Sequence, residues 1–165
     1  QFMSGDSPSD WWKTFHVPEM GDVLLERSNE QLDLTVQFLA RELGVGEGEH
    51  VFDQCCGIGS LSIPLAKAGI KVTGCDQFEP YIERARQDAA IQLPEPSLTI
   101  FHSADAFFFK PKESCDAGFN WYSSFGYAPE DTTNQKMLQR AFDALKPGGR
   151  FALDIPQLSE AAPGV

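Results

Sequence analysis

Three acids and one glycine loop are the residues of this sequence whose types and spacing can do chemistry. Asp53 stands just ahead of Gln54-Cys55-Cys56-Gly57-Ile58-Gly59. Gly57 and Gly59 carry no Cβ, so their backbone reaches positive φ and lets a ligand approach closely. A carboxylate beside such a loop can pair with a cationic amino group. Asp76 ends the stretch Ile70-Lys71-Val72-Thr73-Gly74-Cys75, a place where an acid accepts from two ribose hydroxyls. Asp105, within His102-Ser103-Ala104-Asp105-Ala106, can accept from an exocyclic amine. Each acid taken alone reads as a helix or turn cap. Three of them, each closing a successive strand, point to one ligand at the strand ends.

The elements that must hold these residues are legible from periodicity and punctuation. A helix runs from Ser28, its N-cap, to Leu43, with Leu32, Val36, Leu39 and Leu43 at helical spacing and Gly44 as the stop. His50 to Gln54 reads as a first strand, followed by the glycine loop and a helix capped by Ser60, with Pro64 near its first turn. Ile70 to Cys75 is a second strand, and Pro80 opens a helix burying Ile82, Ala85 and Ala89. Ser97 to His102, Asp116 to Tyr122 and Arg150 to Ile155 are the remaining strands. Between the last two, a helix from about Glu130 presents Leu138, Ala141, Phe142 and Leu145 and stops at Lys146-Pro147-Gly148-Gly149. Strands separated by helix-length segments imply an α/β architecture, a parallel sheet with helices on both faces. Residues 1–27 form an N-terminal segment whose Trp11, Trp12 and Phe15 are either a lid or an apolar helix face. Residues 28–165 form the binding domain.

Composition narrows the partners. The 165 residues carry a formal charge of -11, against which a phosphate backbone would be repelled, so nucleic acid is not the expected partner. No stretch approaches the roughly 20 apolar residues that a membrane span needs. Cys55, Cys56, Cys75 and Cys115 show neither CxxC spacing nor a disulfide framework, so no metal site is expected and Cys55 and Cys56 read as small fillers of a buried loop. A cytoplasmic protein acting on a small molecule fits these features.

The segment Val51-Phe52-Asp53-Gln54-Cys55-Cys56-Gly57-Ile58-Gly59-Ser60 resembles the first motif of the class I S-adenosylmethionine-dependent methyltransferases. The resemblance extends over about residues 45–157, through Asp76 and Gln77 after the second strand, Asp105-Ala106 after the third, Asn120-Trp121 after the fourth, and Leu145-Lys146-Pro147-Gly148-Gly149 before the fifth. It implies a Rossmann-like domain binding S-adenosylmethionine through Asp53, Cys55, Gly57, Gly59, Asp76, Gln77, Asp105, Ala106, Asn120 and Trp121. Methyl transfer would then go to a small-molecule O, N or C nucleophile. Where that acceptor must lose a proton, His16 and Tyr122 are the candidate bases, with packing as the plainer role for both.

Two departures accompany the resemblance. The family's usual first glycine is Cys55 here, acceptable if that position keeps negative φ. The chain also stops short of the family's last two strands, which leaves the fifth-strand edge to be covered by a dimer mate or partner chain. A nicotinamide-dependent oxidoreductase is the competing reading. Its G-x-G-x-x-G fingerprint would need glycine where Ser62 stands and leaves Asp53 without a role. A non-catalytic cofactor-binding subunit of the same fold is a third reading.

Overall fold

The computed structural model describes residues 27–122 and 130–155. The segment with Trp11, Trp12, Phe15 and His16 lies outside them, as does Tyr127. Ten elements follow one another in the described chain: α1 (Asn29–Leu43), β1 (His50–Gln54), α2 (Ser62–Lys67), β2 (Lys71–Asp76), α3 (Glu79–Gln92), a 3-10 turn (Pro96–Leu98), β3 (Thr99–Ser103), β4 (Cys115–Asn120), α4 (Asp131–Ala144) and β5 (Leu145–Leu153). All five strands run parallel in the order β3-β2-β1-β4-β5. Strand order therefore reverses at β1, with β2 on one side and β4 on the other, and this is where an open α/β sheet leaves a crevice at its carboxyl edge.

Alternation along β1 decides what faces what. Val51 joins Leu39, Leu65, Ile70 and Phe119 in the core beneath α1 and α2. Phe52, one residue on, joins Phe107, Cys115, Met137 and Ala144 beneath α4. Helices thus cover both faces, as the sequence pattern implies. By the same parity Asp53 belongs to the α1–α2 face and Gln54 to the α4 face. A third core, built from Ile63, Ala66, Ile82, Ala85, Ala89 and Phe101, fixes α3 against α2 and β3.

α1 begins and ends as its residues require. Ser28 Oγ accepts from Gln31 N at 3.2 Å, and Gly44 closes the helix in the left-handed region with φ 67°. α2 differs from expectation. Ser60 is not its cap; the helix starts at Ser62, after Leu61 and without a side-chain cap, because Ser62 Oγ is committed to Asp53 instead. α4 is rotated from the expected face. Met137, Ala141 and Ala144 are buried, whereas Leu138 and Phe142 are exposed, Phe142 by 74%. Met137 and Ala144 pack with Phe52 and Phe107 in the core on that side of the sheet. Leu145, expected in that helix, already pairs with Cys115 as the first residue of β5, and the register shifts between Cys115 and Ala117. The Lys146-Pro147-Gly148-Gly149 stretch is therefore part of an irregular strand and not only a helix stop. β4 ends at Asn120, leaving Tyr122 outside it. Among the described residues no helix is long and apolar enough to cross a membrane.

Candidate functional site

The loop between β1 and α2 is tied down from β2. Cys56 N donates to Cys75 O at 2.9 Å and Gly57 N to Asp76 Oδ2 at 3.0 Å. Gly57 and Gly59 have φ of 57° and 78°, so both glycines are used for the conformation that a side chain resists. A Cβ on Gly59 would also press to 3.0 Å from the Phe101 ring. Cys56 packs so tightly over Gly74 that a Cβ there would meet its Sγ at 2.9 Å. Gly74 is thus a close-approach position, which sequence reasoning passed over because a glycine inside a strand looks merely permissive.

Cys55 overturns an expectation. It adopts φ 62°, in the left-handed region that disfavours any residue with a Cβ. The loop needs that conformation whatever residue occupies the site, because Cys56 N must reach Cys75 O. Replacing Cys55 by Gly is expected to raise stability by about 0.5–1 kcal/mol, the relief of strain exceeding the lost thiol packing. Cys55→Val should lose at least as much as that. Urea midpoints of the two variants check the order. Burial pushes the thiols of Cys55 and Cys56 well above their ordinary value, so neither is a thiolate nucleophile near neutral pH. All four cysteines are free, and among the described residues no group of three or more His, Cys, Asp or Glu side chains could hold a metal. Cys56 is buried, whereas Cys55 is half-buried, and both line the cleft beside Asp53.

Asp53 is the most perturbed carboxyl of the site. It is 3% exposed and accepts from Ser62 Oγ at 2.6 Å. Burial raises its pKa to about 7, the Ser62 hydrogen bond opposes that rise, and the charge of Asp76 adds to it. One hydrogen bond thereby accounts for both features that a dinucleotide fingerprint leaves unexplained: an acid before the loop, and serine where the third glycine would stand. Asp76 is half-buried at the end of β2. Oδ2 accepts from Gly57 N and Oδ1 from Phe78 N, each at 3.0 Å, so its carboxylate is aimed by backbone on both sides. Gln77, next in the chain, is exposed.

Asp105 follows β3 and is half-buried. Its Oδ1 accepts from Phe107 N at 2.9 Å, organising the turn that buries Ala106 and Phe107 and leaves Phe108 exposed. Of the Phe107-Phe108-Phe109 run, then, only the outer two members pack inward. Asp105 is not among the residues lining the cleft between Asp53 and Asp76.

Beyond β4, Asn120 parts company with Trp121 and Tyr122. Asn120 is fully buried on the α4 face. Its Nδ2 donates to Gln54 Oε1 at 3.1 Å, while Gln54 Nε2 donates to Met137 O at 2.9 Å. Strand parity carries the signal for that placement, since Phe119 faces α1 and its neighbour must face α4. Trp121 and Tyr122 line a cleft with Asp53, Gly57, Ser60 and Asp76. The cleft holds about 80 Å³, much less than a nucleoside occupies, so a ligand of that size must lie along its open side. Tyr122 also has positive φ, 62°, and its N–H donates to Asp154 Oδ2 at 3.0 Å. Its hydroxyl is buried without a hydrogen-bond partner among the described residues, and Arg27 stacks over its ring with Cζ 3.6 Å from the centroid.

Comparison with known proteins agrees with this geometry. The family model described as "Methyltransferase domain" matches residues 51–149, from the start of the first motif to the glycines of β5. The "S-adenosyl-L-methionine-dependent Diels-Alderase iccD" of Talaromyces variabilis is 35% identical over 116 residues, 67% of this chain and 37% of that protein. The "tRNA (uracil(54)-C(5))-methyltransferase" of Pyrococcus horikoshii is 35% identical over 92 residues, covering 53% of this chain and 23% of that protein. Among solved structures, magnesium protoporphyrin IX methyltransferase from Synechocystis PCC 6803, with bound S-adenosylmethionine, aligns at a TM-score of 0.68. It shares 20% identity over 88% of this chain and 75% of that one, a likeness of fold. The chain spans less than two fifths of the length of the two curated relatives. With three fifths of its residues matched by one family model, on a five-stranded parallel sheet, the chain belongs to the class I S-adenosylmethionine-dependent methyltransferase family.

Proposed function

We propose that this chain forms the cofactor-binding part of an enzyme that transfers a methyl group from S-adenosylmethionine to a small-molecule acceptor. The observation that carries the reading is Asp53, a carboxyl at the sheet's carboxyl edge that lines the cleft beside the glycine loop and that burial raises to about 7. A positively charged amino group at that point would restore its ionised form, and the amino-acid end of S-adenosylmethionine supplies one. The residues fit the rest of the cofactor too. Gly57 and Gly59 give it backbone to lie against. Asp76, aimed by Gly57 N and Phe78 N at the end of β2, is the acid that would accept from the ribose hydroxyls. Asp105, with the buried Ala106 beside it, is the acid that would accept from the adenine amine. Gln77 is the exposed neighbour of Asp76 in the chain, and Trp121 lines the cleft.

The bound cofactor supplies an activated sulfonium methyl group, and the chain has to hold donor and acceptor in line. Orientation of that kind is worth about 7–11 kcal/mol. For an acceptor that must lose a proton, Tyr122 is the candidate within the cleft; His16 lies outside the described residues. The charge of -11 favours a small or cationic acceptor over RNA, although curated relatives include RNA uracil methyltransferases. Four free thiols accord with a cytoplasmic setting.

The Diels-Alderase relative supports a second reading, in which the cofactor is bound but its methyl group is not moved. Isothermal titration with S-adenosylmethionine, run beside NADH, tests what the two readings share. Micromolar binding of the first alone is expected, and binding of NADH alone overturns both. Transfer of labelled methyl to an acceptor then separates them.

A further inference from the structure

Among the described residues, two that carry a Cβ have positive φ, Cys55 and Tyr122, and both line the Asp53 cleft. Strain of this kind persists only where surrounding contacts impose it, and it gathers at functional sites. For Cys55 the imposing contact is the tie from Cys56 N to Cys75 O. Tyr122 has no such loop to close, since β4 has already ended at Asn120. It bears a second cost as well, a buried hydroxyl with no hydrogen-bond partner among the described residues. A tyrosine left to itself would relax its backbone and turn that hydroxyl to water.

Asp154 opposes that relaxation. It stands directly after β5, and its backbone N–H donates to Asn120 O at 3.0 Å, extending the tie between β4 and β5 by one step. The side chain is thereby set beside the turn that leaves β4, where Oδ2 accepts from Tyr122 N at 3.0 Å. A bond from a backbone N–H to a carboxylate is charge-assisted, strong enough to offset one residue in the left-handed region. With its N–H held toward β5 and φ at 62°, Tyr122 lines the cleft together with Trp121, Asp53 and Asp76. Reversing the sign of φ while that N–H stayed in place would swing the Cα–Cβ bond away and take the ring with it. Asp154 is not itself among the residues lining the cleft, so its influence there passes through Tyr122.

We propose that Asp154 is a positioning residue of the cofactor site, whose hold on the Tyr122 N–H keeps the Tyr122 ring in place as a wall of the Asp53 cleft. The inference rests on the cofactor reading given above. It gives β5, which contributes no residue to the lining of that cleft, a part in shaping it.

The test titrates S-adenosylmethionine into the full 165-residue chain and into Asp154→Ala, Asp154→Asn, Tyr122→Ala and the Asp154→Ala/Tyr122→Ala double variant, each first shown to be folded by its urea transition. Asp154→Ala is expected to weaken binding about tenfold, the equivalent of one hydrogen bond to a charged group. The amide Oδ1 of Asp154→Asn still accepts from Tyr122 N, so that variant should recover most of the affinity. Once Tyr122→Ala has removed the ring, adding Asp154→Ala should cost nothing more, because the two residues act as one unit. Parental affinity in Asp154→Ala overturns the proposal. So does an Asp154→Asn chain as weak as Asp154→Ala, which would mean that the carboxylate meets the ligand through its charge. Losses that multiply in the double variant overturn it too, as damage to β5 unrelated to Tyr122 would give. An unaltered chain that binds no S-adenosylmethionine is a different failure, that of the cofactor reading itself, and the proposal falls with it.

Discussion

Asp53→Asn is expected to make the ligand-free chain more stable at high pH and to abolish its affinity for S-adenosylmethionine. The Asp53 carboxyl has a folded-state pKa of about 7, against an ordinary value of 3.8. The unfolded chain gives up that proton near the ordinary value, whereas the folded chain keeps it until about 7. Stability from this residue is therefore fully present below the ordinary value and is lost as the pH climbs to about 7. Asparagine has no charge to bury and still offers Oδ1 to Ser62, so its chain escapes that loss. The stability of Asp53→Asn relative to the parent should rise by about 2–3 kcal/mol between about pH 5 and pH 9. Comparing the two chains across pH cancels other titrating groups and the fixed cost of an extra amide donor. Urea unfolding at the two pH values is the measurement, and a flat difference would mean that Asp53 is not held protonated. On the binding side, removing one partner of a buried charge pair costs about 3–5 kcal/mol, or a loss of a hundredfold or more. The parent's own affinity should rise from about pH 5 to pH 7, because Asp53 must ionise to receive an ammonium. Stability and binding thus move in opposite directions at one side chain, as expected where a site stores unfavourable electrostatics for its ligand.

Much of this arrangement was legible in the sequence because the determinants are local. Strand β1 falls at His50–Gln54 as its residues suggest, and α1 starts at Ser28 and stops at Gly44 through caps that act within one turn. Asp53, Asp76 and the glycine loop converge because a parallel sheet brings the carboxyl ends of adjacent strands together. What escaped was decided by distant residues. The inner face of α4 was misread because Phe142 looks like a core residue, while the helix buries Met137, Ala141 and Ala144 instead. Positive φ at Cys55 is imposed by Cys75 on a neighbouring strand, and no preference of cysteine announces it. The exit of Asn120 from the cleft follows from strand parity and was open to derivation. The Arg27–Tyr122 stack joins residues 95 positions apart, beyond any local pattern. The site roles assigned to the resembling positions remain matters for mutation, and Asp76 is the one whose removal reaches furthest.

Asp76→Ala should weaken S-adenosylmethionine by about a hundredfold or more and also loosen the loop that forms the cleft. Each hydrogen bond from a hydroxyl to a charged acceptor contributes about 1.5–3 kcal/mol, and a ribose offers two. The same carboxylate receives Gly57 N and Phe78 N, so alanine also leaves two partly buried N–H groups without these acceptors. That costs about 1–3 kcal/mol of stability. The binding loss alone could therefore be ascribed to a damaged loop, and Asp76→Asn separates the two causes. Its Oδ1 still accepts from one of the backbone groups, which preserves most of the stability, while one acceptor oxygen and the charge are lost. If Asp76 binds ribose, the asparagine chain should fold nearly as well as the parent and still bind the cofactor at least tenfold more weakly. Its Asp53 carboxyl should also titrate lower, since the Asp76 charge is one of the causes holding it up. An asparagine chain with parental affinity would reduce Asp76 to a loop anchor. A downward shift at Asp53 with full affinity would show the electrostatic link between β1 and β2 to be real and the ribose contact to be absent.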